Sequence, residues 1–177
     1  MKNHALLILG CLATAASSLA AAADPPRYAF ECDTPPGHYS YWHRTVTGSE
    51  ISITGQVTVN ELGTDKKWIP VVNVMLSNEK DEHSYGIHIS AIAKTPDLLI
   101  LRLRKVDGSD AIGLGFMPRT KDPIPFMLRL DASGALTASV GGVEAATALG
   151  AFKPSMLELS CSTGDFEFTA VRVEEKP

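Results

Sequence analysis

The sequence predicts an all-β chain folded as an antiparallel β-sandwich. Apolar and polar residues alternate with period two in one segment after another. Turn-forming clusters separate these segments at intervals of roughly 10–17 residues, the rhythm of a sandwich. No segment sustains a helical period. Beyond Asp24 there is no linker, low-complexity tract or repeat, so residues 24–177 read as a single sandwich domain.

Residues 1–23 read as a signal peptide. Lys2 supplies the positive start, "ALLILGCLATAA" an apolar core too short to span a bilayer, and "SSLAAAA" the small residues of a cleavage site, with the cut placed before Asp24. Gly10-Cys11 resembles a lipoprotein box, but Leu9 is large for its place there and the apolar core runs on past Cys11. About 154 residues remain, enough for one substantial core. The leader holds one base and no acid, so its loss takes the net charge from −4 to −5. Mild acidity speaks against nucleic acid as a partner. Nothing later is apolar enough to span a membrane, and no N-x-S/T site occurs. The reading is bacterial export to the periplasm or the medium, with no oligomeric state specified.

The segments follow in order. "YAFEC" places Tyr28 and Phe30 in phase with Cys32, and "TPPG" (34–37) reads as a turn. "HYSYWHR" (38–44) divides Ser40, Trp42 and Arg44 from Tyr39, Tyr41 and His43. "ISITGQVTV" (51–59) sends Ile51, Ile53, Val57 and Val59 inward, and "VVNVML" is apolar on both faces apart from Asn73, as in a central strand. "LLILRLRK" sets Leu99, Leu101 and Leu103 against Arg102 and Arg104, and "IPFMLRLD" sets Phe126, Leu128 and Leu130 against Arg129. "GGVEAATALGAF" holds a short strand and a turn. "MLELSCS" sends Leu157, Leu159 and Cys161 one way and Glu158 and Ser160 the other. In "DFEFTAVRVEE" the phase set by Phe166 and Phe168 slips near Thr169-Ala170 before Val171 and Val173, which predicts a bulge.

Two cysteines survive removal of the leader. Cys32 and Cys161 belong to inward faces, and an even count in an exported chain reads as a disulfide, with two free thiols as the alternative. The bond closes a loop of about 130 residues, worth roughly 4–5 kcal/mol in the chain-entropy treatment. It also sets the first strand beside one of the last.

"PFMLRLDASGALTASVGG", "LELSCSTGDFEFTAVRVEE" and "KWIPVVNVML" together resemble the concanavalin A-like jelly roll of legume lectins, laminin G-like modules and several glycanases, over most of Tyr28–Glu174. The resemblance rests on strand rhythm and the Phe-x-Phe near the end. It implies two curved sheets with a concave face that serves relatives as a ligand groove. On that face Asn73, His88, Arg102, Arg104 and Arg129 would project, provided their strands share a sheet. Arginines there could fork onto an anion, or simply cover apolar surface with their stems. Tyr39, Tyr41 and Trp42 would stack on sugar if exposed, or pack core and rim near the disulfide if not.

Catalytic patterns are sparse. Glycanases of this architecture pair two carboxylates about 5 Å apart, farther if inverting, and their signature resembles Glu-x-Asp-x-Glu or Glu-x-Asp-x-x-Glu. Nothing here matches it. Glu79 and Asp81 have the interval but sit in a polar turn, and Glu31 and Asp33 face away from Cys32. There is no Gly-x-Ser-x-Gly, and "GLGF" lacks the lysine of a phosphate loop. His38 and His43, like His83 and His88, are five apart and face opposite ways on a regular strand, so no metal site is predicted. Calcium alone stays open as a cofactor, with oxygen donors in the acidic turns around Asp81 and Asp110.

The reading is an exported, non-catalytic binding module for a saccharide or another small polar or anionic ligand, with Tyr39, Tyr41, Trp42, Asn73, His88, Arg102 and Arg129 as candidate contacts. A cell-envelope interaction protein and a glycoside hydrolase with an atypical carboxylate arrangement are the alternatives.

Overall fold

A computed structural model describes residues 26–78, 83–92, 95–106 and 111–177. Residues 1–23, predicted as a signal peptide and containing Cys11, the pair Glu79 and Asp81, and Asp110 lie outside the described residues.

Ten strands follow in chain order: β1 (Arg27–Thr45), β2 (Glu50–Leu62), β3 (Val71–Asn78), β4 (His83–Ile92), β5 (Thr95–Val106), β6 (Ile112–Pro118), β7 (Ile124–Leu130), β8 (Ala135–Val140), β9 (Val143–Ala148) and β10 (Met156–Lys176). All pairings are antiparallel, in the order β6-β5-β4-β3-β10-β2-β7-β8-β9, with β1 beside β10. The described residues contain no helix, and none long and apolar enough to cross a membrane.

The path folds into two layers because its longest strands turn a corner. The first half of β10 pairs with β3 and the second half with β2, while β1 follows β10 through both halves. One layer therefore reads β1-β10-β3-β4-β5-β6 and the other β1-β10-β2-β7-β8-β9, the two halves of β1 and β10 being shared out between them. The layers face each other across an antiparallel sandwich.

"TPPG" is consequently not a reversal, as predicted, but the corner of one continuous strand. Register slips between Thr34 and Tyr39, where Gly37 takes φ 76°. The segment "STGD" (162–165) forms the matching corner in β10. Thr163, fully buried, takes φ 58°, a left-handed conformation that costs about 1–2 kcal/mol for a residue with a Cβ. Local bonds hold it: its hydroxyl accepts from Gly37 N at 3.2 Å and its carbonyl from Gly63 N at 2.9 Å. Thr34 Oγ1 closes the same corner onto Gly164 O at 3.2 Å.

Inside, period-two alternation does what the sequence predicts. Ile51, Ile53, Val57, Val59, Leu99, Leu101, Leu103, Phe126, Leu128, Leu130, Leu157 and Leu159 are all buried in one core cluster. The predicted phase slip is a register shift between Thr169 and Arg172, where Ala170 takes φ 52°. "GGVEAATALGAF" holds β9 and a turn. The disulfide forms between Cys32 and Cys161, both fully buried, and ties the second layer to the first across the corner.

Candidate functional site

Antiparallel pairing aligns residues of successive strands into rungs, and side chains of one rung point to the same face. In the first layer one outward rung reads Tyr41–Ser160–Asn73–His88–Arg102–Gly113, from β1 across β10, β3, β4 and β5 to β6. Four of the predicted contacts thus share a single row. The neighbouring rungs read Tyr39–Ser162–Val71–Ser90–Ile100–Phe116 and His43–Glu158–Met75–Gly86–Arg104.

Side-chain size shapes this face. Ser160 has no exposed surface and Asn73 only 7 %, although both point away from the sandwich core. Small side chains make a floor, and larger neighbours rise on either side. Along β1 the rings form a strip: Tyr39 and Tyr41 lie 5.8 Å apart by centroid, and Tyr41 stacks on His43 at 5.7 Å. Tyr39 is 46 % and Tyr41 55 % exposed, as a stacking role requires. Across the floor stand Arg102 and Arg104. Beside the rungs opens a cleft of about 370 Å³, lined by Met75, Ser77, Arg104, Val106, Met156 and Glu158 among others.

A directed chain of hydrogen bonds organises the floor. His88 Nδ1 donates to Asn73 Oδ1 at 2.8 Å, and Asn73 Nδ2 donates to Ser160 Oγ at 3.2 Å. Beside Ser160 the Tyr39 phenol donates to the Glu158 carboxylate. Each member is fixed by the next, so the face is preorganised. Because Nδ1 carries the proton in this arrangement, neutral His88 keeps Nε2 as an acceptor. Burial, then repulsion from Arg104 and Arg102, pushes its pKa down to about 4, so the ring is neutral at pH 7. Partial burial and the bond to Glu158 push the half-exposed Tyr39 phenol up to about 12. The floor therefore presents neutral donors and acceptors over a wide pH range.

Two predicted contacts fall elsewhere. Arg129 belongs to β7 and projects from the second layer, opposite Ser52 and Thr137. Its strand has the same local pattern as that of Arg102, but β7 pairs with β2 rather than with β4. Trp42 lies on the opposite side of β1 from Tyr41. It packs against Tyr28 at 5.3 Å and against the core. Beside it Arg44 sits over the Tyr28 ring and pairs with Glu175 at 2.8 Å. Ser160, Glu158 and Gly113 complete the face without having been singled out. The one signal for the first two was their phase, opposite to Cys161.

The described residues form no group of three or more His, Cys, Asp or Glu suited to a metal ion.

No protein-family profile matches the chain, and a comparison with curated proteins gives no match. Solved structures do match. The carbohydrate-binding module CBM66 from Bacillus subtilis superposes with TM-score 0.55 at 12 % identity, over 82 % of this chain and 86 % of that one. The carbohydrate recognition domain of Emp46p, in its metal-free form, gives 0.52 at 10 % identity, over 84 % and 83 %. An alginate lyase from Pseudomonas aeruginosa gives 0.53 at 13 % identity, over 72 % and 65 %. These similarities establish the jelly-roll, lectin-like fold; at such identities they speak for the fold alone.

Proposed function

We propose that this chain is an exported, non-catalytic saccharide-binding module whose ligand lies across the outer face of the first layer. The observation that carries the reading is the rung Tyr41–Ser160–Asn73–His88–Arg102, which sets an exposed ring, fixed polar groups and a guanidinium side by side. Sugars offer apolar ring faces and rigid hydroxyl pairs, and such a row meets both. Structural neighbours that are carbohydrate-binding modules support it. On the three rungs Glu158 is the one carboxylate, so the paired acids of a glycosidase are not built there. The disulfide fits an oxidising compartment.

A glycan array, followed by calorimetry on its hits, tests the proposal with wild-type protein and with Tyr41→Ala. Binding by wild type and a loss of three- to tenfold in the variant are expected, from about 0.5–1.5 kcal/mol per aromatic contact. A wild-type protein silent across neutral and acidic glycans counts against the reading.

A further inference from the structure

Among the described residues no carboxylate pairs with the two guanidinium groups of β5. Arg102 and Arg104 stand at alternate positions on the outward face, about 7 Å apart along the strand. Among the described residues the ion pairs are Arg44 with Glu175 and Lys176 with Glu50, so neither β5 arginine has a carboxylate partner. The carboxylate of the same rungs, Glu158, sits three strands away, about 14 Å across the sheet by backbone spacing. It is already engaged by the Tyr39 hydroxyl. Among the described residues the face is therefore bipolar, with an occupied acid near β1 and unpaired cations on β5.

The groups between them narrow what can bind. His88, next to Arg102 on its rung, gives its Nδ1 proton to Asn73 and holds Nε2 as a lone pair, so it takes a hydroxyl proton and adds no third positive charge. Gly113, at the end of the rung beside Arg102, leaves open space: a Cβ there would meet nothing within 4 Å. A planar carboxylate fits the donor fork of arginine.

We propose, building on the saccharide reading above, that the ligand is a carboxylate-bearing glycan of the hexuronate class. Its carboxylate is forked between Arg102 and Arg104, a neighbouring hydroxyl donates to His88 Nε2, and a sugar ring lies against Tyr41. The net charge of the chain is −4, so recognition is local to this spot rather than a long-range attraction of polyanions.

Calorimetry with defined oligogalacturonates and oligomannuronates, each alongside its carboxyl-reduced neutral counterpart, tests the assignment. Binding of an acidic oligomer, weakened about tenfold or more by carboxyl reduction, is expected. Arg102→Gln and Arg104→Gln should each cost about tenfold toward the acid and shrink the difference between the two ligands, with melting temperatures close to wild type. Gly113→Phe, which fills open space, should weaken the acid too. A neutral counterpart binding within twofold of the acid overturns the hexuronate assignment and leaves the saccharide reading standing. Sulfated oligosaccharides binding while the uronates stay silent also overturn it. Silence toward every glycan, acidic and neutral, removes both.

Discussion

The imidazole of His88 and the amide of Asn73 are joined side chain to side chain, Nδ1 to Oδ1 at 2.8 Å, on adjacent strands of one rung. This bond sets the ring's tautomer, and burial between Arg102 and Arg104 sets its charge. The faces around it carry Tyr39, Tyr41, His43 and Glu158 as the other titratable groups.

Stability should therefore depend on pH through this residue. The folded pKa, about 4, lies below the ordinary value near 6.5, so between those values the unfolded chain takes up a proton that the folded chain does not. His88 destabilises the fold progressively as pH falls through that window, by on the order of 3 kcal/mol at its lower end, and levels off below it. Denaturant titrations of wild type and His88→Gln from pH 7.5 to pH 4 give the difference; a gap that stays constant with pH contradicts the assignment.

The Tyr39 phenol should ionise late. Its pKa of about 12 owes most to burial and next to the bond with Glu158. In Glu158→Gln the value should drop while staying above the ordinary 10, because burial persists. Alkaline difference absorbance, with Tyr39→Phe to identify the signal, reads both values.

Losing the disulfide should cost about 4 kcal/mol, given a sequence separation of 129 and two fully buried sulfurs. Cys32→Ala with Cys161→Ala should melt about 10 °C lower than wild type. Mass spectrometry of the unreduced chain lacking residues 1–23 should find no free thiol.

Two glycines on the candidate face should respond in opposite ways. A Cβ on Gly86 would lie 2.0 Å from the backbone oxygen of Val74, which cannot yield without moving β3. Gly86→Ala should lose about 2–3 kcal/mol. Gly113→Ala, with nothing within 4 Å, should be neutral or slightly stabilising. Thermal melts of the two variants, compared with wild type, decide it.

What could be read from the sequence divides along a physical line. Facing was legible, because alternation is local: Leu101 inward and Arg102 outward follow from period two alone. The bulge at Ala170 was legible for the same reason. Which strands share a layer was not. Arg102 and Arg129 have like local contexts, yet β5 joins the layer of Tyr41 and β7 the other, a choice made by pairings more than 70 residues apart in sequence, such as Ser160 with Asn73. The corner at Gly37 was missed because its Pro-Pro-Gly signal fits a reversal equally well. Only the matching bend at Thr163, far along the chain, makes it a continuation. Glu158 and Ser160 gain their importance from neighbours supplied by β1 and β3.

The pairing of β1 has a consequence in time. Among the described residues its nineteen residues find their strand partners in the twenty-one of β10, Met156–Lys176. In a polypeptide emerging amino end first, β1 has no native strand partner until β10 has been made, and contacts so distant form slowly. The shell therefore stays open while the strands between these two are made, and it locks when β10 arrives.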